Sequence, residues 1–264
     1  SFLKQIRSLP RETKRWDARA GLDVYLKNLL KSLRSISDLR SDALRQRHWD
    51  ELMRETGVRI DISGEVYLKD LLALELHKYE EVVSNIVDSA QKELRMESAL
   101  ADIAETWRTM EFSYEAHTDG TPLLKPDDDL IETLEENMVK LQNMLSSKSV
   151  AYFLDKIETW QSKLSNVDTV LHLWLEVQRT WLHMESIFIG SEDIREQLPA
   201  DSKRFDRIDA DWKTLMASAE GVTNVIEVTA APGRAAKLTK LESFEFVVAA
   251  CICSRRTALQ AIGL

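Results

Sequence analysis

Between Leu68 and Tyr114 the chain contains neither glycine nor proline. No stretch constrains the fold more, because those two residues are the usual stops of a helix. Within it Val83, Ile86, Val87, Ala90 and Leu94 recur at helical spacing. Met96, Leu100, Ile103, Trp107 and Met110 continue the stripe, with a small phase shift at Leu94–Met96. The spacing predicts one long helix or two nearly collinear ones. Thirty-odd helical residues span ~50 Å, more than a compact domain needs, which suggests a rod. The whole chain repeats the theme: 264 residues carry only eight Gly and five Pro.

Other segments read the same way. Leu22, Leu26, Leu29, Leu30, Leu33 and Ile36 make an amphipathic helix with Lys and Arg between them. Asp42 is placed to open a second helix with Leu44, Trp49 and Leu52, and Gly57 to close it. Ile60-Asp61-Ile62 alternates and fits a short strand or a loop. His117 to Pro126 holds a Gly and two of the five Pro, which predicts a turn and a short hairpin around Leu123-Leu124. Asp127, Asp128 and Asp129 then sit where they can cap a helix bearing Leu130, Leu134, Met138, Leu141 and Leu145. Ser149 opens a helix with Phe153, Ile157, Trp160 and Leu164, and Asp168 caps the next, with Val170, Trp174, Val177, Trp181, Met184 and Phe188. Gly190 ends it, and Ser191 starts a short turn that stops at Pro199. Asp201 begins a helix with Phe205, Ile208, Trp212, Leu215 and Met216, closed by Gly221. Val222–Val228 is β-branched and reads as extended; Ala231-Pro232-Gly233 is a turn, and Leu238, Leu241 and Phe244 begin a last helix. The expected fold is all-α, an elongated rod of stacked bundles with seven to nine helices and at most one hairpin.

Charge narrows the partners. Residues 1–47 carry twelve Lys/Arg against five Asp/Glu, whereas the remainder carries twenty-three against thirty-nine. The acidic bulk argues against nucleic acid or an acidic tubulin surface as the main partner. The basic first segment is a solvated helix face or a dock for an acidic neighbour. Cys251 and Cys253 stand one residue apart and cannot build a disulfide framework, so a reducing compartment fits. The longest apolar run, Phe246–Cys253, is far shorter than the ~20 residues of a membrane span, and its β-prone character is an aggregation liability if exposed. The chain opens on Ser1, as a piece of something longer would.

A search for chemistry comes back empty. There is no phosphate-binding glycine loop, no Gly-x-Gly-x-x-Gly and no Gly-x-Ser-x-Gly elbow. His172 and His183 lie on one side of a helix but ~16 Å apart along it, so one metal cannot touch both. Cys251-x-Cys253 lacks a second ligand pair, and the Asp127–Asp129 run lacks calcium-loop spacing. No catalytic residue, cofactor or metal is expected. Trp49, Trp107, Trp160, Trp174, Trp181 and Trp212 each fall on an apolar stripe, as packing anchors do.

Laid end to end, short words give a sharper reading. They include Gly21-Leu22-Asp23, Arg47-His48-Trp49, Thr56-Gly57-Val58, Leu71-Leu72-Ala73-Leu74 and Thr106-Trp107-x-Thr109-Met110-Glu111-Phe112. Trp174-x2-Val177-Gln178-Arg179-x-Trp181 follows, then Ser191 with Glu192-Asp193-Ile194-Arg195-x-Gln197-Leu198-Pro199. In this order they resemble the linker of axonemal dynein heavy chains, most like the β-type chain of the outer arm. The resemblance runs over about residues 8–242, and residues 243–264 depart from it. It implies a mechanical arm that arches over a ring of ATPase modules and swings with nucleotide state, without hydrolysing anything itself. Its implied partners are the AAA+ ring and tail of a dynein heavy chain and other dynein-arm or axonemal proteins, with no nucleic acid, membrane or direct tubulin contact. Its implied place is the cytoplasm, the cytoskeleton and the axoneme of a cilium or flagellum.

The expected organisation is an N-terminal helical lobe at 1–116, a loop and joint at 117–126, a second lobe at 127–242 and a tail at 243–264. The competing reading of the residues is a spectrin-like or tethering-type helical adaptor. That reading requires self-contained three-helix repeats of similar length.

Overall fold

The structure is a computed structural model that describes residues 2–61, 66–125, 127–189 and 192–243, without the side chains of Glu192 and Asp193. Ile62, Pro126, Gly190, Ser191, Phe244, both cysteines and the apolar run Phe246–Cys253 lie outside the described residues. The described chain is all-α apart from one hairpin. It divides into two compact units, Ser1–Ala99 and Leu100–Leu264. The division falls inside a helix. The Gly and Pro of residues 117–126 make a hairpin turn, with Gly120 at φ 84° between its strands, and Leu123 and Leu124 are buried in the second unit's core.

The first unit contains α1 (Phe2–Ser8), a 3-10 turn (Arg11–Arg15), α2 (Asp17–Asp38), α3 (Gln46–Thr56) and α4 (Leu68–Ala73). A second 3-10 turn (Leu76–Lys78) leads into α5 (Glu80–Thr109), whose residues up to Ala99 belong here. Its core gathers Ile36, Leu39, Leu52, Leu74, Leu76, Val83, Ile86 and Val87. α3 begins after Arg45, not Asp42, because His48 folds back and its Nδ1 accepts the Arg45 backbone N–H at 3.0 Å. Gly57 ends α3 in the left-handed region, φ 71°, returning its N–H to Met53.

The stretch without glycine or proline nevertheless breaks, between α4 and α5. Leu74 and Leu76 both turn into the core, and the His77 N–H is taken by Ser32 Oγ at 3.1 Å. A continuous helix would set Leu74 and Leu76 about 200° apart, and only one could be buried. The chain kinks instead at Glu75, whose φ of 47° is left-handed without being glycine. Tertiary burial has outweighed local preference, at a backbone cost of about 1 kcal/mol. Glu75→Val should therefore lose about 1–2 kcal/mol of unfolding free energy relative to Glu75→Gly, read from urea denaturation.

In the second unit α5 finishes on Ile103 and Trp107, both buried. β1 (Tyr114–Ala116) pairs antiparallel with β2 (Pro122–Leu124), Tyr114 opposite Leu124. Then come α6 (Asp128–Leu145), α7 (Leu154–Phe188), α8 (Glu192–Gln197), α9 (Pro199–Glu220), α10 (Val225–Ala230) and a helix over 234–243, α11. Counting α11, the described residues hold more helices than the seven to nine expected, since α1, α4, α8 and α10 are short pieces.

Two expectations merge and one inverts. The helices placed either side of Asp168 are one helix of 35 residues, with Asp168 inside it and 3.1 Å from His172 one turn on. Nothing between Leu154 and Phe188 interrupts the backbone, and Val167, Val170 and Leu171 bury the supposed junction. Val222–Val228 is helical from Val225 rather than extended, because Asn224 Oδ1 accepts the N–H groups of Ile226 and Glu227. Val225 and Val228, three apart, then share the buried side. Pro199, expected as a stop, is the first residue of α9, where its missing N–H costs nothing. α6, α8, α9, α10 and β2 all pack against α7, which makes it the spine of this unit.

Candidate functional site

The second unit's centre is built from tryptophans. Trp174, Trp181 and Trp212 are fully buried, and Trp181 stacks on Trp212 with ring centroids 5.9 Å apart. Trp174 Nε1 points at Met216 Sδ, 3.1 Å away. The Arg234 guanidinium covers the Trp174 ring at 5.3 Å and donates to the Leu215 carbonyl. Burial lowers the Arg234 pKa, and it also pushes the Tyr114 phenol up to about 12. Trp107 is buried as well, at the end of α5. Trp49 is half-buried against the first unit's core, and Trp160 is half-buried under the Lys163 ammonium at 4.8 Å.

Polar groups lock the hairpin to this centre. Gln178 is buried on α7, and its side-chain amide makes both hydrogen bonds of a strand partner, accepting Leu124 N–H and donating to Leu124 C=O, each at 2.8 Å. His117 meets both Glu185 oxygens at 2.9 and 3.0 Å and sets its ring edge-on to Trp181. Trp181 Nε1 donates to Asp209 at 3.2 Å. Lys213 joins Asp209 and Asp119, 2.9 Å from each. Burial pushes the Asp119 carboxyl up, but Lys213 and Thr121 outweigh it and hold Asp119 well below the ordinary carboxylate range.

The sign of that shift fixes a pH dependence. Asp119 stabilises the fold above its unfolded pKa of about 4, and the contribution fades as pH falls below that toward the folded value. Asp119→Asn should be less stable than the parent at pH 7. The gap between their melting temperatures should close as pH drops from about 4 toward 2.

The words picked out in the sequence occupy joints. In the first unit Arg47 Nε donates to Glu93 Oε2 at 2.7 Å, and His48 Nε2 lies 3.2 Å from the same oxygen, too poorly aligned for a hydrogen bond. In the second unit Arg195 Nε donates to the Phe188 carbonyl at the end of α7, and its Nη2 reaches Asp206 on α9 at 2.8 Å. Ile194 and Leu198 are half-buried around that clasp, and Gln197 and Pro199 face solvent. Glu192 and Asp193 contribute α8 backbone, and their side chains lie outside the described residues. The structure thus gathers Trp174, Trp181 and Trp212 into one cluster, and sets Arg47 with His48 and Arg195 elsewhere, as separate fastenings.

Among the described residues no three His, Cys, Asp or Glu side chains gather as a metal site, and no helix is long and apolar enough to cross a membrane. One surface depression of about 450 Å³ is bordered by Asp102, Glu105, Thr106, Thr109, Met110 and Glu111, and both threonine hydroxyls donate to backbone carbonyls of their own helix. The organised features are spines, clasps and stacked rings. The family model for the dynein heavy chain, N-terminal region 2, matches residues 1–244.

This chain belongs to that family.

Curated relatives agree. It is 51% identical over 251 residues to the ciliary dynein beta chain of Heliocidaris crassispina, which is 95% of this chain and 6% of that protein. It is 52% identical over 251 residues to mouse dynein axonemal heavy chain 17, again 95% and 6%. It is 41% identical over 244 residues to the flagellar outer-arm dynein beta chain of Chlamydomonas reinhardtii, 91% and 5%. The chain therefore spans about one-twentieth of the length of the relatives it matches. The family match begins at residue 1 rather than about residue 8, and it ends at 244, two residues beyond the limit of the resemblance. Matches of 251 residues do not fit within 1–244, so likeness to these dyneins reaches some way into the last residues.

Sequence reasoning missed the fastenings that involve Gln178, His117, Asn224 and Glu93. Two had a signal. Gln178 falls between Trp174 and Trp181 on one apolar face, and Glu93 falls on the stripe after Ala90. A polar residue at a core position of a dynein heavy chain region calls for a buried partner.

Proposed function

We propose that this region is the linker of an axonemal dynein heavy chain, a non-catalytic arm that carries ring rearrangements into microtubule sliding. Membership of the heavy-chain family and relatives named ciliary, flagellar and axonemal support that setting. The observation that carries the mechanical part is α7: 35 unbroken residues, clamped along their length by α6, α9, α10 and the hairpin. Such a spine resists bending because any kink would open buried contacts on several sides. Its partners would be the AAA+ ring and tail of the heavy chain and neighbouring arm proteins, in the axoneme of a cilium or flagellum. It would bind neither nucleotide, nucleic acid nor membrane, nor tubulin directly. The adaptor reading would need helical repeats of equal length, and helices here range from 6 to 35 residues.

The test is made in a full-length heavy chain carrying this region. Thr169→Pro, at an exposed point inside α7, removes a helix bond at a cost of about 3 kcal/mol or more. Microtubule gliding should slow severely while basal ATP hydrolysis by the ring persists. Gliding at the parental speed, with α7 demonstrably disrupted, would overturn the proposal. The isolated chain should hydrolyse no ATP.

A further inference from the structure

Of the eight glycines in the chain, only Gly120 follows an aspartate, and none follows an asparagine. An Asp-Gly pair is the aspartyl sequence most open to spontaneous cyclisation, because glycine has no side chain to keep its amide nitrogen off the neighbouring carboxyl. This pair sits at the tip of the hairpin, between β1 and β2. The Gly120 N–H donates to the His117 carbonyl at 2.9 Å, and the His117 N–H donates to the Thr121 carbonyl at 2.8 Å. Gly120 holds φ 84°, a value that side-chain-bearing residues rarely adopt. The two residues that close this turn are therefore two that can react with each other.

The fold keeps both in an unreactive state. Asp119 Oδ1 accepts the Thr121 N–H at 2.9 Å. Asp119 Oδ2 pairs at 2.9 Å with Lys213 Nζ on α9, and Asp209 steadies Lys213 from one turn away. Both carboxyl oxygens are thus occupied, and the Gly120 N–H is spent on His117. Cyclisation needs the reverse of each condition. The carboxyl must be protonated so that its hydroxyl can leave as water, Cγ must be free to turn toward Gly120, and the amide must leave its acceptor. Burial pushes the Asp119 pKa up, but Lys213 and Thr121 outweigh it and keep the carboxyl ionised. The two Asp-Ser pairs, Asp88-Ser89 and Asp201-Ser202, lie in α5 and α9 instead, where the helix ladder holds the next amide, as Ser202 N–H on the Leu198 carbonyl shows.

We infer that Asp119–Gly120 is a latent isoaspartyl modification site, guarded by Lys213 and released when the hairpin comes away from α9. In the released turn Gly120 N bonds to Asp119 Cγ. The Cγ–OH bond breaks, and the hydroxyl leaves with the amide proton as water, giving a succinimide. Water then adds at the ring carbonyl that was the Asp119 main-chain carbonyl, and the C–N bond there breaks. The chain now runs through Cβ and Cγ, and the former main-chain carbon carries a free carboxylate. One water leaves and one returns, so no other reactant is needed. An extra main-chain carbon in a turn this tight displaces Thr121 from its bonds to His117 and Asp119, so an opening of the hairpin is recorded as a covalent change. This chemistry holds whatever mechanical role the region has.

The whole chain is incubated at body temperature and neutral pH for several weeks, folded in buffer and unfolded in guanidinium chloride. Isoaspartate at position 119 is counted by peptide mass spectrometry and by methyl transfer from S-adenosylmethionine with an isoaspartate-specific carboxyl methyltransferase. The unfolded chain should accumulate it at least about tenfold faster than the folded one. K213M, which removes the cation and keeps the stem, should raise the folded rate at least about threefold, the scale of a partly exposed ion pair. K213R, which keeps the cation, should stay near the parental rate. Should K213M fail to fold, H117Q serves instead. It frees the hairpin from Glu185 and leaves Lys213 in place, and isoaspartate should then rise in step with exchange of the Leu124 N–H. The inference is overturned if the folded parent reacts as fast as the unfolded chain, if K213M matches the parent, or if K213R rises as far as K213M. It is overturned equally if Leu124 exchange quickens in H117Q without isoaspartate, or if the modification gathers at other aspartates and spares position 119.

Discussion

Trp181→Ala should lower the unfolding free energy by about 3–5 kcal/mol, the range for removing a buried tryptophan. Three losses combine. The ring is fully buried, so its removal leaves a cavity in a helical core held to crystal-like density. It is stacked on Trp212 and met edge-on by His117, so two neighbouring rings lose their support. Its Nε1 donates to Asp209, which also holds Lys213 and through it Asp119, so the fastening of the hairpin loosens with it. The melting temperature should fall by roughly 10 °C, given about 2–4 °C per kcal/mol for chains of this size. Trp16→Ala is the matched control. Trp16 is 61% exposed, and its loss should stay within about 0.5 kcal/mol. Urea denaturation followed by circular dichroism measures both. Equal effects from the two substitutions would contradict the packing described here.

Gln178→Leu should cost about 2–4 kcal/mol despite conserving shape and adding apolar surface. The reason is what it leaves behind. Leu124 is 1% exposed, and both of its backbone groups find their partner in the Gln178 amide. Leucine would strand a buried N–H and a buried C=O together. Gln178→Glu keeps the acceptor but loses the donor and brings a charge, so it should be no better near neutral pH. Amide hydrogen exchange offers the direct reading. The Leu124 N–H should be protected in the parent and exchange many-fold faster in Gln178→Leu, whereas amides of the first unit stay as they were.

These fastenings explain how each unit, with few breaks in its sequence, holds its helices together. Long helices need cross-ties, and the ties here are side chains that act on backbone. Arg195 holds the Phe188 carbonyl that ends α7, Gln178 serves β2 as a strand would, and His48 closes the start of α3. Asn224 does two such jobs. Its Oδ1 caps α10, and its Nδ2 reaches the Trp107, Arg108 and Met110 carbonyls at the end of α5.

Much of this was legible beforehand, and the exceptions share a cause. Helical stripes were readable wherever one face is uniformly apolar, as along Val83–Ala90 or Phe205–Met216. Reading failed where the deciding partner is remote in sequence. Nothing local near Glu75 announces a kink, which arises because Leu74 and Leu76 answer to Ile36 and Leu52. Nothing local in Val222–Val228 favours a helix over a strand except one asparagine, whose second role depends on a helix more than a hundred residues earlier. Leu22 and Leu33 satisfied a core pattern and remain in the open, because periodicity marks a face without naming what covers it.

The sequence alone determined that this protein is helical, that its tryptophans and the Arg47–His48 and Arg195–Pro199 words belong together as a dynein heavy chain region, and that its basic excess lies in the first segment. The helical character and the charge live in spacing and composition, and the family likeness in the order of those words, all of which the chain carries without folding. Only the tertiary structure decided that α7 runs unbroken through Asp168, that Leu123 and Leu124 of the hairpin are buried in the second unit's core, and that Leu22 and Leu33 of α2 stay exposed. Each depends on which buried groups meet across tens of residues, and burial free energy is settled by the partners found, not by the order in which they are strung.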